Sequence, residues 1–292
     1  MPLSTFSIVA VDLATGELGV AVASKFLAVG AVVPWARAGV GAVATQSYAN
    51  VSYGPTGLEL MAAGHSAGET LARLLADDPD RELRQVGIVD ARGGTATFTG
   101  SACHAWAGGR TGPGYAVQGN ILTGPEVVDA MAHAFETTDG PLAVRLLAAL
   151  AAGDAAGGDR RGKQSAALLV VKERGGYGGY TDRFIDLRVD DHVEPVAELQ
   201  RLYGIWRLYF EKPAPEDRLP LEGALLVELQ ELMRVLGYYQ GPVHGQWDEA
   251  TRRAYATLIG NENFEERIPL DADWIDRAVL EYLRDLARRR QG

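Results

Sequence analysis

Thr5-Phe6-Ser7-Ile8-Val9-Ala10-Val11-Asp12 and Gly19-Val20-Ala21-Val22-Ala23-Ser24-Lys25-Phe26, separated by Leu13-Ala14-Thr15-Gly16-Glu17-Leu18, are the residues on which the fold turns. Both runs are short and rich in Val, Ile and Ala, and the segment between them carries turn residues, so they read as a β-hairpin. If Thr15-Gly16 is a two-residue turn, Ser7 faces Ser24, and Thr5 lies diagonal to it on the same face. Lys25 then points to the other face, beside Phe6.

Outward from the hairpin, a third apolar run spans Gly39–Thr45. From Gly57 to Leu75 the apolar residues recur at three- and four-residue intervals, which predicts a helix broken at Gly64. Gln85–Val89 and Gly94–Thr99 predict a second hairpin. After a glycine-rich stretch, Gly108–Gly119, come two helical patterns, Pro125–Glu136 and Pro141–Ala152, each with a proline suited to a first turn. Strand signals return at Ser165–Lys172 and Arg183–Val189, and an amphipathic helix over Pro195–Phe210 follows. Strands at both ends with helices between them predict an α+β layered domain rather than repeated βαβ units.

Glycine marks a boundary. Residues 1–212 hold 29 of the 35 glycines. Residues 213–220, with three prolines, read as a linker, and residues 221–292 as a small all-α three-helix bundle. In that bundle Leu225, Leu229, Leu232, Met233 and Leu236 form one stripe ended by Gly237. Asp248 and Asp273 are the expected caps of the second and third helices, the third with Trp274, Ala278, Tyr282 and Leu286 inward.

The bulk properties exclude several classes of function. With 28 Lys+Arg against 38 Asp+Glu the net charge is −10, which argues against nucleic acid or an anionic membrane as partner. One cysteine, Cys103, rules out an internal disulfide and a zinc finger. The longest uncharged stretch, Ala38–Leu58, contains Gln46, Ser47, Asn50, Ser52 and Pro55 and is too polar for hydrocarbon. The start lacks a basic region and reaches Asp12 early, so the expected location is cytoplasmic. Homo-oligomerisation is left open.

Several chemical motifs fail on inspection. Gly157–Gln164 nearly matches a phosphate-binding loop, but Gln164 stands where a hydroxyl must hold magnesium, and a helix precedes it where a strand should. Asp186, Asp190, Asp191 and His192 lack a second ligand set with metal spacing, so no metal or other cofactor is expected. Cys103 and His104 are chain neighbours, and neighbours on a strand point apart, which disfavours a Cys–His nucleophilic pair.

Residues 1–212 carry a more specific pattern. Phe6-Ser7-Ile8-Val9-Ala10, Gly19-Val20-Ala21-Val22-Ala23-Ser24, Val29-Gly30-Ala31-Val32-Val33-Pro34-Trp35, Ala44-Thr45-Gln46, Arg84-Gln85-Val86, Gln118-Gly119-Asn120, Gln164-Ser165-Ala166-Ala167 and Asp186–His192 resemble an uncharacterised family, a domain of unknown function that belongs with the N-terminal-nucleophile hydrolase superfamily. The resemblance implies a four-layer αββα sandwich and hydrolysis of an amide by an amino-terminal Thr, Ser or Cys. That places Thr5 as nucleophile, its α-amine freed by cleavage of the Ser4–Thr5 bond. An α-amine titrates at about 8 and can take the hydroxyl proton itself. Some relatives use a strand lysine to stabilise the nucleophile, a place Lys25 fills only if the register slips by one. Ser24 is therefore the expected neighbour of Thr5. Ser7 shares that face, and the amides of Gln46, Asn120 and Gln164 either bind a polar substrate beside it or satisfy loop backbone.

The C-terminal residues Leu229-Gln230, Leu232, Leu236-Gly237-Tyr238-Tyr239, Gly241, Gly245, Trp247 and Thr251 resemble a small peptidoglycan-binding three-helix domain. Tyr238, Tyr239 and Trp247 either stack on sugar rings or build the helix–loop–helix corner. Two functions follow. One is an amide hydrolase acting on a small amide or peptide-like substrate. The other is a non-catalytic small-molecule-binding protein on the same scaffold, its helical module serving interaction and possible binding of peptidoglycan fragments.

Overall fold

The computed structural model describes residues 5–291. The hairpin forms as β1 (Thr5–Asp12) and β2 (Glu17–Ser24), but its turn is longer than the two residues predicted. Leu13–Gly16 make a four-residue connection in which the Asp12 carboxylate accepts the Ala14 N–H (2.9 Å) and Gly16 takes φ 73°. Thr5 consequently pairs with Ser24, and Asp12 with Glu17. The register is displaced by two residues from the expected one. Because side chains alternate with period two, the shift leaves Thr5, Ser7 and Ser24 on one face.

After β2 come β3 (Pro34–Arg37), β4 (Gly41–Ser47), α1 (Tyr53–Ala62), α2 (Ala67–Ala76), β5 (Arg84–Asp90), β6 (Thr95–Thr99), β7 (Gly108–Gly112) and β8 (Tyr115–Asn120). Then follow α3 (Glu126–Thr137), α4 (Leu142–Ala155), β9 (Ser165–Val171), β10 (Arg183–Val189) and α5 (Pro195–Phe210). The broken helix resolves into α1 and α2, with Gly64 at φ 99° between them and a Ser66/Glu69 capping box opening α2. The glycine-rich stretch holds two strands, β7 and β8, that its composition concealed.

All strand pairs are antiparallel, in a six-stranded sheet ordered β10-β9-β2-β1-β8-β7 and a four-stranded sheet ordered β3-β4-β5-β6. The unit is mixed α+β. One face of each sheet meets the other sheet; α1 and α2 cover the outer face of the small sheet, and α3 and α4 that of the large one. β1 is central, and its two faces differ. Phe6, Ile8 and Ala10 turn one way, while Thr5, Ser7, Val9 and Val11 turn toward the small sheet. Val9, Val11, Leu18, Val20, Ala42, Val89 and their neighbours fill one end of the inter-sheet layer with apolar groups. The other end is polar.

The chain divides between Leu202 and Tyr203, inside α5 and upstream of the composition break. In the C-terminal unit, residues read as linker supply β11 (Arg218–Pro220), which pairs with β12 (Trp274–Asp276). A proline ends β11, as a two-stranded ladder with open edges permits. This unit is therefore not wholly helical: α6 (Gly223–Leu236), α7 (Glu249–Asn261) and α8 (Arg277–Gln291) accompany that ladder. Gly237 ends α6 at φ 87° and Asp248 caps α7 through the Thr251 N–H (2.8 Å). The cap of α8 is Asp276 rather than Asp273, accepting the Ala278 and Val279 N–H groups. Val279, Leu280, Leu283 and Ala287 are the buried face of α8. The expected Trp274, Tyr282 and Leu286 pack partly buried against the same core, and of the expected stripe Ala278 is exposed. Among the described residues no helix is long and apolar enough to cross a membrane.

Candidate functional site

Thr5 opens β1 opposite Ser24 on one side and Asn120 on the other. Its hydroxyl donates to Ser24 Oγ at 3.2 Å, and its carbonyl accepts from Gln46 Nε2 at 3.3 Å. From there a network of amides crosses between the sheets. Ser7 Oγ donates to Gln46 Oε1 (2.6 Å) and accepts from Gln118 Nε2 (2.7 Å). Gln46 Nε2 and Asn120 Nδ2 both donate to Gln85 Oε1, at 2.8 and 2.9 Å. Gln85 Nε2 in turn donates to Gly119 O (2.7 Å) and Thr99 Oγ1 (2.8 Å). Thr5, Ser7, Gln46, Gln85, Gln118 and Asn120 have no exposed surface, and Ser24 retains 2%. Buried amides are tolerable only when so paired, since each unmade hydrogen bond there costs about 1–3 kcal/mol.

Strand alternation explains this arrangement. Gln118 and Asn120 are two apart on β8, Thr5 and Ser7 two apart on β1, and Gln46 and Gln85 are cross-strand partners on the small sheet. Gly87 makes room: a Cβ there would lie 2.0 Å from Gln118 Oε1. The structure thus brings Thr5, Ser7, Ser24, Gln46 and Asn120 together. Gln85 and Gln118 complete the set. Neither has a role in the sequence motifs; a glutamine heading an apolar strand was the signal for Gln85, whereas Gln118 lies in the stretch whose glycines concealed β8.

Lys25 and Gln164 lie elsewhere. The exposed Lys25 side chain reaches Lys163 O (3.3 Å), while its backbone N–H donates to the buried carboxylate of Asp159 (2.8 Å). Gln164 Nε2 donates to Asp191 Oδ1 (3.1 Å). The loop that mimics a phosphate site is instead a clasp. Asp159 accepts the Arg161 N–H (2.9 Å) as well as its guanidinium, and so ties residues 157–164 to the end of β2. A small cavity of about 80 Å³, lined by Phe6, Ala23, Ser24, Asp159 and Lys163, lies beside it.

Backbone strain concentrates at the Thr5 end of the sheets. Five non-glycine residues among those described have positive φ, and three of them lie at or beyond strand ends there: Ser47 (70°), the last residue of β4, Ile121 (52°), directly after β8, and Ala28 (52°), in the loop after β2. For a β-branched residue such as Ile121 this conformation is costly. Cys103 lies alongside, its Sγ donating to Arg84 O (3.3 Å), and burial raises its thiol pKa above the ordinary range. Among the described residues no group of three His, Cys, Asp or Glu side chains is placed to hold a metal ion. Asp186 pairs with Arg183 and Arg188.

A separate polar cluster sits where α2 returns to β5. Asp78, nearly buried, accepts from Arg84 Nε (2.9 Å), Tyr53 Oη (2.8 Å) and Asn50 Nδ2 (3.1 Å). The Arg84 guanidinium holds this carboxyl well below the usual carboxylate range, while burial and the same carboxylate push the Tyr53 phenol up. A depressed carboxyl pKa adds stability that is present above its unfolded value, about 3.9, and is lost as pH falls through the folded value. Asp78→Asn is therefore expected to cost about 2 kcal/mol at pH 7 and to flatten the acid limb of stability below pH about 4. Urea titrations at pH 7 and pH 3 check both; an undiminished acid limb would refute the assignment.

In the C-terminal unit the aromatic residues are engaged internally. Tyr239 is buried with its hydroxyl on Pro242 O (3.0 Å), Tyr238 donates to Glu262 (2.7 Å), and Trp247 packs edge-on against Tyr255. Gln230, wholly buried, accepts from the His244 and Gly245 N–H groups (3.0 and 2.9 Å) and donates to Thr251 Oγ1 (2.8 Å), fixing the loop before α7.

Comparison with known proteins matches residues 209–283 to a family model described as "Putative peptidoglycan binding domain". No curated protein matches the chain. Among solved structures, the ancestral β-subunit Anbu from Yersinia bercovieri is 12% identical with TM-score 0.31, covering 70% of this chain and 94% of its own. A crystal structure of a protein from Silicibacter pomeroyi is 32% identical with TM-score 0.64, covering 70% of this chain and 89% of that one, and is assigned to the same family that matches residues 5–199 here. The chain belongs to that family, the family of unknown function DUF1028.

Proposed function

We propose that the N-terminal unit is an amide hydrolase of the N-terminal-nucleophile type, acting on a small amide or peptide-like substrate, with Thr5 as nucleophile. The observation that carries this reading is Thr5 itself: a hydroxyl at the first residue of the central strand, set against Ser24, with its carbonyl held by the Gln46 amide. The two facing sheets with helices outside both support the αββα sandwich of that superfamily.

The chemistry requires a free α-amine, and the Ser4–Thr5 bond lies outside the described residues. Once that bond is cleaved, the amine takes the proton from Thr5 Oγ1 as the oxygen attacks the substrate carbonyl. The leaving amine then takes that proton, and water cleaves the resulting ester to restore Thr5. Ser24 orients the hydroxyl. Ser7, Gln46 and Asn120 hold β1 in place rather than line an open cleft, since all three are buried, with Ser7 Oγ donating to Gln46 Oε1 and Asn120 Nδ2 to Gln85 Oε1. Lys25 and Gln164 take no part. The helical module after the proline-rich segment binds a glycan-type ligand such as a peptidoglycan fragment, and its open groove of about 390 Å³ along Tyr238, Gln240, Arg253 and Thr257 offers the surface.

The complete burial of Thr5 favours the rival, a non-catalytic binding protein. Intact-mass spectrometry separates the two. A chain lacking residues 1–4 supports the hydrolase, and one beginning at Met1 or Pro2 supports the rival. In a processed chain, Thr5→Ala is expected to abolish amidase activity, at least about a thousandfold, while changing stability by no more than about 1 kcal/mol. Activity that survives the substitution rules Thr5 out.

A further inference from the structure

α1 and α2 pack side by side on the outer face of the small sheet, and the chain returns from α2 to β5 through residues 77–83. Between the two helices, at the C-terminal end of α2, lies a cavity of about 450 Å³, within the size of small-molecule sites, about 300–1,000 Å³. Its lining is of two kinds. Tyr53, Leu60 and Leu74 supply apolar surface, and Arg73, Asp77 and Asp78 supply charge.

Most of the charged groups around this cavity are already committed. Asp78 is taken up by Arg84, Tyr53 and Asn50. Glu69, one turn before Arg73, accepts the N–H and the hydroxyl of Ser66, both at 2.8 Å, in the capping box of α2. Asp80 pairs with Arg84 at 3.4 Å. Arg73 and Asp77 are different. Among the described residues neither side chain makes a hydrogen bond or an ion pair, with the other or elsewhere, although they stand four apart at the end of one helix. A cation placed before an acid is the weaker order for such a pair. Asp77 also sets a negative charge at the helix C-terminus, where the backbone dipole disfavours it. A cationic group arriving from outside relieves that conflict.

We propose that this cavity binds a free α-amino acid with an apolar side chain. Its carboxylate lies on Arg73, its ammonium on Asp77, and its side chain against Leu60 and Leu74. An α-amino acid carries both charges in one short unit beside an apolar group, which is the pattern that lines the cavity. A peptide holds its ammonium and carboxylate at separate ends and answers only half of it. The site asks nothing of Thr5, which faces the layer between the sheets, whereas α1 and α2 cover the outer face of the small one.

The test is isothermal titration calorimetry of the full chain with three probes: L-leucine, L-leucinamide, which lacks the carboxylate, and 4-methylpentanoate, which lacks the ammonium. Leucine is expected to bind with a Kd of about 1 mM or tighter, and each analogue at least about tenfold more weakly. Arg73→Ala and Asp77→Ala should each weaken leucine binding about tenfold, and both side chains are exposed, so the fold is expected to survive. Thr56→Trp, at an exposed position on the α1 wall, fills the cavity and is expected to abolish binding, which fixes the location. Absence of leucine binding up to about 10 mM overturns the proposal. So does an analogue that binds as tightly as leucine, or wild-type affinity in any of the three variants with circular dichroism intact.

Discussion

Asp276→Ala is expected to cost the C-terminal unit about 4 kcal/mol or more, the largest effect of any single change considered. Asp276 has no exposed surface, and Arg267, its ion-pair partner at 3.1 Å, is 7% exposed. Deleting the carboxylate leaves a buried guanidinium whose remaining bond is from Nη1 to Arg207 O (2.6 Å), and an uncompensated buried charge costs about 3–5 kcal/mol. The same carboxylate accepts the Ala278 and Val279 N–H groups at the start of α8, and loss of such a cap adds about 1 kcal/mol. Asp276→Asn separates the two contributions. It retains an oxygen for the cap but turns an NH2 donor toward the Arg267 guanidinium in place of the Oδ2 acceptor, so it loses the ion pair and keeps the cap, and should fall between wild type and alanine. Urea unfolding followed by tryptophan fluorescence measures all three, since Trp247 and Trp274 lie in this unit. An alanine variant within about 1 kcal/mol of wild type would refute the assignment.

Gly87→Ala is expected to destabilise the N-terminal unit by about 3 kcal/mol although it adds one methyl group. The new Cβ would stand 2.0 Å from Gln118 Oε1 and 2.5 Å from its Cδ. A glutamine tip usually moves aside at little cost, but this one is fully buried and donates to both Ser7 Oγ (2.7 Å) and Ser7 O (3.2 Å). Displacing it leaves buried donors and acceptors unpaired on three strands, at about 1–3 kcal/mol each before relaxation. The decisive control is a double-mutant cycle. Gln118→Ala alone also breaks the network, but combined with Gly87→Ala it removes the clash, so the pair should cost at least about 1 kcal/mol less than the sum of the singles. Strict additivity would mean that the glycine is not making room for the amide.

How much of this was legible in the sequence depended on the kind of signal. Element types were readable wherever an apolar period ran uninterrupted, as in β1, α5 and α6. They were unreadable at β7 and β8, where glycine and turn residues masked the period, although β8 is the strand beside Thr5. The hairpin register was missed by two because Asp12 caps a longer turn with its own side chain, a local choice that apolar patterning does not report. The association of Thr5 with Ser24 survived the error, since an even displacement keeps every residue on its face. Gln46 and Asn120 were singled out for being polar among apolar strands. That their partners would be each other, through Gln85, is a property of two sheets meeting, and no sequence period encodes it. Lys25 is already assigned to the opposite face by strand alternation, whereas Gln164 looks as suitable as Gln46 on paper and only the fold turns it to Asp191.

The contrast between the two ends of the inter-sheet layer has a mechanical consequence. Apolar contact is non-directional, so the valine-rich end holds the sheets together strongly but resists sliding poorly. The amide end resists it well: a shift of one strand spacing, about 4.8 Å, would break every bond that Gln46, Gln85 and Gln118 make across the gap. Adhesion and alignment are thus assigned to opposite ends of one layer, and Thr5 sits at the end that sets alignment. Its backbone is located by a vernier of amides rather than by bulk packing, and any change that softens those amides should be read first as a loss of positional accuracy at Thr5.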